Sequence, residues 1–249
     1  LDNVDEATFY EKHVKGTCKL GIRVATEEEP NFEFYTSRLG IRNSQVVSFF
    51  RERIKDNPKF ELKMLHFFVD TGIKDSLYYW GELRKAIKLY GEIRQECETL
   101  NAINIGGGMP IRNSLGFEFD YKYMIKEIVS SIQQACEEDE VPEPDLFTEF
   151  GKYTVGESGA TIFSVLAQKQ QNDSELWYMI DGSFITQLPD IWGLNRKYIM
   201  LAVNNWEHRY QKVNLGGLTC DSMDYYNSEA HTNEVFLPKF KRGEQQYVG

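Results

Sequence analysis

Ile103-Asn104-Ile105-Gly106-Gly107-Gly108-Met109-Pro110 is a short β-type run that ends abruptly in three glycines. Glycines after a strand let the chain turn sharply and bring bare N–H groups against a ligand, which is how strand-end loops cradle phosphate. A phosphate-bearing cofactor is therefore the first expectation at Gly106, Gly107 and Gly108. A tight strand-to-helix turn with no ligand is the alternative, and the segments on either side bear on the choice.

Short apolar or β-branched runs recur around the triplet, at Cys18 to Ala25, Leu62 to Val69, Ala102 to Ile105 and Leu146 to Glu149. Between them lie stretches with helical spacing. In Ser76 to Thr99 the residues Leu77, Trp80, Leu83, Ile87, Tyr90 and Ile93 recur at threes and fours. Tyr121 to Glu138 carries Met124, Ile125, Ile128, Val129, Ile132 and Ala135 on one stripe and runs into the breakers Pro142 and Pro144. Strands alternating with helices imply parallel βαβ units, and a repeat of about 40 residues suits part of a (β/α)8 barrel. After Gly156 the pattern changes to strands with few helices between them: Thr161 to Gln168, Leu176 to Ile180, Tyr198 to Val203 and Val213 to Leu218. The expected organisation is an α/β domain over 1–156, a partial (β/α)8 barrel, followed over 157–249 by part of a β-sandwich or β-barrel-like C-terminal domain.

Barrel enzymes carry their chemistry on the loops at the carboxyl ends of the strands. Here Leu65-His66-Phe67-Phe68-Val69-Asp70-Thr71-Gly72 closes one strand, the glycine triplet closes the next, and Thr148-Glu149-Phe150-Gly151-Lys152 closes the third. A carboxylate, a glycine phosphate loop and a hydroxyl on successive strand ends would converge on a single ligand.

Composition excludes several other classes. The chain has 249 residues, 41% of them hydrophobic, enough for a substantial core. Its net charge is −10, and no basic cluster is longer than Lys239 to Arg242, which argues against a nucleic-acid partner. Cys18, Cys97, Cys136 and Cys220 are far apart and lack the paired spacing of a zinc site or a disulfide framework, so no metal is expected and a reducing, cytoplasmic setting fits. No apolar run approaches the roughly 20 residues that span a bilayer, so no membrane is expected either.

The strand-end series His-Phe-x-x-x-[Ser/Thr], Gly-Gly-Gly and Glu-x-Gly-x, followed by Thr219-Cys220-Asp221-Ser222, resembles the pyridoxal-phosphate decarboxylases of fold type III, which act on basic amino acids. Leu188-Pro189-Asp190-Ile191-Trp192-Gly193, with the Leu215 to Ser222 segment, is similar to the bacterial biosynthetic arginine decarboxylases. The resemblance implies an alanine-racemase-like barrel and decarboxylation of arginine to agmatine in polyamine biosynthesis, with pyridoxal 5′-phosphate as cofactor. It also implies that Gly106, Gly107 and Gly108 bind the cofactor phosphate, with a hydroxyl added by Thr71. Glu149 would face the pyridine nitrogen and keep it protonated. His66 opens the first motif and counts among the cofactor-binding residues. Cys220 would return a proton to the α-carbon and Asp221 would receive the cationic end of the substrate, both in the other subunit's site, so a homodimer is implied. Asp181 and Gly182 match a structural turn of the family.

Two positions depart from the family pattern. Phe68 stands where a second histidine stacks on the cofactor ring; it keeps a π face but cannot hydrogen-bond. Lys152 stands where an arginine meets the phosphate; it keeps the charge but loses the bidentate fork. The family's Schiff-base lysine would precede this chain and its last phosphate-binding loop would follow Gly249, so a fragment of a longer protein is expected, unable to anchor the cofactor covalently. The alternatives are a decarboxylase of ornithine, lysine, diaminopimelate or carboxynorspermidine, and a non-catalytic homologue that dimerises with an active relative.

Other polar residues invite simpler readings. His13, His208 and His231 are expected at the surface or in caps. Glu27, Glu28 and Glu29 read as a solvated loop before Pro30. Arg23 could approach the cofactor or form a rim ion pair. Cys18, Cys97 and Cys136 are expected in the core or on helices, and the Tyr225–Tyr226 pair in β-domain packing or the wall of a substrate pocket.

Overall fold

The structure is a computed structural model that describes residues 1–26, 37–194, 196–226 and 235–249. Glu27, Glu28, Glu29 and His231 lie outside the described residues. Two compact units divide the chain: Leu1–Ile111 with Phe119–Glu157, and Arg112–Glu118 with Ser158–Gly249.

The first unit runs α1 (Val4–His13), β1 (Cys18–Ala25), β2 (Ile41–Arg42), α2 (Asn43–Phe49) leading into a π-helical turn (Phe50–Ile54), then β3 (Phe60–Phe67), α3 (Leu77–Arg94), β4 (Ala102–Asn104), α4 (Tyr121–Glu138), β5 (Asp145–Phe147) and α5 (Gly151–Val155). Its strands form a parallel sheet in the order β2-β1-β3-β4-β5, as successive βα units of a (β/α)8-like core do. The helix starts follow from local chemistry. The Ser76 side chain accepts from the Tyr79 N–H at 3.2 Å, and Asp120 accepts from the Tyr123 N–H at 2.9 Å, satisfying donors that the first helical turn leaves unpaired. Along α4 the buried residues Met124, Ile128, Ile132 and Cys136 recur every fourth position. With Leu83, Ile87, Tyr90 and Ile93 of α3 they join Leu20, Ile22, Val24, Leu65, Phe67 and Ile103 from the sheet in one continuous core. Each such side chain is worth about 1.5–3 kcal/mol when fully buried. Strand register is thereby locked, because a slip of one residue would turn every apolar side chain to the other face.

The opposite face of this sheet carries polar groups. Paired residues of neighbouring strands share a face, and Arg23 pairs with His66, His66 with Asn104, and Asn104 with Phe147. A row of Arg23, His66, Asn104 and Phe147 therefore crosses β1, β3, β4 and β5 near their carboxyl ends. A register shift between Leu20 and Gly21 helps set it. Burial in β3 passes from Phe60 and Leu62 to Leu65 and Phe67, a change of parity of the kind a bulge produces. The ladders stop at Phe67, Asn104 and Phe147, one or two residues before the ends expected from sequence, so Phe68, the glycine triplet and Glu149 lie just beyond the strands.

The second unit contains β6 (Phe163–Gln170), β7 (Leu176–Ile180), α6 (Phe184–Gln187), α7 (Pro189–Leu194), β8 (Tyr210–Gly216), β9 (Tyr225–Tyr226), β10 (Val235–Pro238) and β11 (Tyr247–Val248). It is a mixed sheet in the order β10-β8-β7-β6-β11, with β9 beside β8. β7 and β8 run parallel and the other pairs antiparallel. Val165, Tyr178, Ile180, Phe184, Val213, Leu215 and Leu237 form its separate core. The strand expected over Tyr198 to Val203 shrinks to an isolated antiparallel bridge between Ala202 and Val248, flanked by main-chain bonds of Leu201 with Gly249 and of Val203 with Tyr247. Its first residue takes another path, and the Tyr198 carbonyl accepts from the Tyr226 hydroxyl at 3.0 Å. Tyr226 is buried and Tyr225 packs its ring edge-on to Trp177 at 5.9 Å, so the tyrosine pair serves packing. Among the described residues no helix is long and apolar enough to cross a membrane.

Candidate functional site

Three loops meet at the carboxyl end of the parallel sheet, and glycines allow them to meet closely. Gly106 has φ +69°, and a Cβ there would stand 2.8 Å from the Phe67 carbonyl oxygen and 3.0 Å from Cδ2 of Phe68. A Cβ on Gly107 would stand 2.7 Å from the Glu149 carbonyl oxygen. Gly72 and Gly108, at φ +84° and +90°, face each other backbone to backbone, and the Ile73 N–H donates to the Gly108 carbonyl at 3.0 Å. Side chains would push these loops apart or force strained backbone.

Hydrogen bonds close the arrangement. The Glu149 N–H donates to the Gly106 carbonyl at 2.9 Å, which fixes the main chain after β5 to that after β4. Asn104, the last residue of β4, accepts from the Gly106 N–H at 2.8 Å through Oδ1 and donates through Nδ2 to Oε1 of Glu149 at 2.9 Å. The Gly106 N–H, expected to meet phosphate, is thus already used within the chain. Among the described residues neither the Gly107 nor the Gly108 N–H has a backbone acceptor.

His66 lies beside this link on β3. Its side chain is only 19% exposed, and its Nε2 stands 3.7 Å from Oε1 of Glu149, beyond hydrogen-bond reach, leaving that nitrogen buried without a hydrogen-bond partner. Burial pushes the imidazole pKa below its ordinary value; the Glu149 charge pulls the other way and Arg23 adds to the depression. His66 is therefore held neutral near pH 7. Arg23 stands over the Phe68 ring at 5.9 Å from its centroid, within cation–π range.

Of the remaining sequence-derived residues, Thr71 is half-buried in the turn that follows β3, where the Gly72 N–H donates to the Val69 carbonyl at 3.0 Å. Lys152 is exposed at the start of α5. His66, Phe68, the glycine triplet and Glu149 thus form one cluster, with Thr71 in the adjoining turn. Cys136 is buried and Cys18 and Cys97 are half-buried. His13 bonds the Phe9 carbonyl at 2.7 Å, while His208 packs among Lys239, Lys241 and Glu244, so neither enters the cluster.

Cys220 and Asp221 belong to the second unit, in the exposed turn between β8 and β9. Buried Asp224 holds that turn in shape. Its Oδ1 accepts from the Phe184 N–H at 2.8 Å and the Ser183 hydroxyl at 3.1 Å, and its Oδ2 accepts from the Thr219 N–H at 3.0 Å and the Thr219 hydroxyl at 2.6 Å. Burial raises its pKa, but these donors together outweigh that and hold the carboxyl below its ordinary value. Asp221 accepts from the Met223 N–H at 2.8 Å, an Asx-type turn. Asp181 and Gly182 brace the same region, taking the Ser164 and Leu218 N–H groups.

Asn104 and Asp224 escaped the sequence analysis. Asn104 had a usable signal: an amide at the end of an otherwise apolar strand, two residues before the first glycine. Asp224 had none beyond its nearness to Cys220.

The pyridoxal-binding domain of the pyridoxal-dependent decarboxylases matches residues 1–156. Biosynthetic arginine decarboxylase 2 of Synechocystis sp. is 27% identical over 146 residues, covering 56% of this chain and 22% of that protein. Diaminopimelate decarboxylase of Staphylococcus aureus is 23% identical over 243 residues, covering 92% of this chain and 56% of that protein. Among solved structures, lysine decarboxylase from Selenomonas ruminantium matches with a TM-score of 0.75 at 19% identity, over 100% of this chain and 61% of its own. Diaminopimelate decarboxylase from M. jannaschi matches with a TM-score of 0.80 at 16% identity, over 100% of this chain and 57% of its own. At such identities the structures show a likeness of fold, and this chain spans less than two thirds of the length of each relative. The cluster fits the pyridoxal group for which the matching family is named: among the described residues, two glycine N–H groups without backbone acceptors suit a phosphate, a held carboxylate suits a ring nitrogen, and a buried imidazole nitrogen is left unsatisfied.

Proposed function

Since the chain belongs to the pyridoxal-dependent decarboxylase family, we propose that the whole protein removes the α-carboxyl group of a basic amino acid as carbon dioxide. The observation that carries this is the Glu149 carboxylate, tied through Asn104 to the glycine loop at the strand ends. Pyridoxal 5′-phosphate, when bound, supplies an electron sink for the bonding pair released as carbon dioxide departs.

This chain's residues supply the rest. Gly107 and Gly108 donate their N–H groups to the phosphate, and Thr71 adds its hydroxyl. Glu149 holds a proton on the ring nitrogen, which the chemistry needs because a cationic ring withdraws electrons better than a neutral one. Phe68 offers its flat face to the ring, backed by Arg23. Lys152 contributes positive charge on the phosphate side. In a homodimer, Cys220 returns a proton from Sγ to the α-carbon and Asp221 receives the cationic end of the substrate.

Arginine, giving agmatine, is the substrate suggested by the Leu188 to Gly193 stretch. Relatives named for arginine and for diaminopimelate both align with this chain, so the proposal covers the class, with lysine, ornithine and diaminopimelate beside arginine. Full-length protein, incubated with cofactor and each of the four carboxyl-labelled amino acids, should release labelled carbon dioxide from at least one. Release from none, by protein that binds the cofactor, would reject catalysis and favour the non-catalytic homologue to which Phe68 and Lys152 point.

A further inference from the structure

We infer that Asn104 is a positioning residue of the proposed cofactor site: its amide couples the glycine loop to the Glu149 carboxylate and aims that carboxylate at the bound ring. This rests on the assignment of Glu149 to the ring nitrogen.

Asparagine is poorly suited to a strand, so its place at the end of β4 calls for a reason, and its bonds give one. A backbone N–H can only donate, so the end of the amide facing Gly106 is the oxygen, and the NH2 end must face Glu149. The orientation is settled by chemistry. Aspartate here could still accept from Gly106 but would set a second negative charge against Glu149, and an apolar residue would serve neither partner.

The Glu149 side chain needs such a guide. Its main chain is pinned by the bond to Gly106, but its carboxylate is on a side chain 53% exposed, and free rotamers would spread it over several positions. His66 stands too far off at 3.7 Å to hold it. Among the hydrogen bonds of the described residues, the one from Asn104 directs the Glu149 oxygen. The same residue decides which glycines face the phosphate. By occupying the Gly106 N–H it leaves that task to Gly107 and Gly108.

The test uses full-length protein and binding alone. Fluorescence titration compares pyridoxal 5′-phosphate with its 1-deaza analogue, in which a C–H replaces the ring nitrogen. Wild type should prefer the natural cofactor by about tenfold, the scale of one hydrogen bond to a charged group, and Glu149→Gln should abolish the preference. Asn104→Ala and Asn104→Asp should reduce it to about twofold or less, with Asn104→Asp keeping affinity for the analogue because it still caps Gly106. A tenfold preference retained in both variants would overturn the inference. Loss of both ligands by Asn104→Asp would also overturn it, since a positioning role leaves phosphate binding in place. Absence of any preference in wild type would instead refute the assignment of Glu149, a failure distinct from that of Asn104 alone.

Discussion

At the end of the parallel sheet, Glu149 is located twice over, by a main-chain bond to Gly106 and by the amide of Asn104, the last residue of a strand whose register a continuous core enforces. In the mixed sheet, Cys220 and Asp221 sit on an exposed turn, and one buried carboxylate, Asp224, gathers the donors that give the turn its path. The first region spreads its precision over ladders, glycines and an amide, so a single lost bond leaves most of the geometry standing. The second gathers four side-chain bonds on one residue, with a few main-chain bonds beside them. A site on strand ends and a site on a hairpin therefore differ in how much one substitution can undo.

The largest expected effect follows from that concentration. Asp224→Ala would leave two backbone N–H groups and two hydroxyls without their acceptor in a buried place, and unsatisfied buried donors cost about 1–3 kcal/mol each when water cannot reach them. A loss of about 3 kcal/mol is expected from denaturant unfolding followed by tryptophan fluorescence, with Trp177 packed on Tyr225 as a local reporter. Asp224→Asn, which keeps acceptor capacity on one oxygen, should lose less. A loss below about 0.5 kcal/mol for Asp224→Ala, the range of ordinary surface substitutions, would mean that the hairpin is held from elsewhere.

How much of this was legible in the sequence varies with the range of the interaction. Met124, Ile128 and Ile132 of the α4 stripe could be read because helical burial repeats within a few residues, whereas Ile125, expected on the same stripe, faces outward and Cys136 completes the buried row in its place. The glycine triplet could be read because its residues are adjacent in sequence. The two-residue strand β2 could not, since pairing of Ile41 and Arg42 with Val24 and Ala25 leaves no periodicity. Tyr198 to Val203 looked like a strand because its composition is β-forming, but composition does not say that the Tyr198 carbonyl is claimed by Tyr226. Glu149 was singled out through the resemblance of the strand-end motifs, whereas Asn104, though an amide closing an apolar strand could have drawn notice, owes its value to a partner 45 positions away.

A smaller effect sharpens the contrast from the other side, through pH. His66 is held neutral mainly by burial, against the pull of Glu149 and with the help of Arg23. Its folded-state pKa lies below the unfolded value of about 6.5. Below that pH the unfolded chain takes up a proton that the folded chain refuses, so stability falls as pH drops from about 6.5 towards the folded-state pKa and is regained on return to neutrality. For one proton the slope is at most about 1.4 kcal/mol per pH unit. His66→Gln should remove this part of the acid sensitivity in unfolding measurements between pH 7 and 5. If wild type and variant show parallel pH dependence, the imidazole is not kept neutral by the sheet.

The smallest stability effect belongs to the residue with the largest proposed chemical part. Cys220 is exposed on its turn, so Cys220→Ala should change unfolding stability by less than about 0.5 kcal/mol. The same substitution removes the proposed proton donor and should lower the rate of the proposed amine formation, or divert the product, in the full-length protein. The proposed homodimer should be unaffected. Stability and kinetics thus separate for Cys220, whereas Asp224→Ala changes the stability of the turn and the placement of Cys220 together. Unchanged rate and product in Cys220→Ala would remove the thiol from the reaction and leave the turn without a proton donor in that position, because neighbouring Asp221 is assigned to the substrate's cationic end.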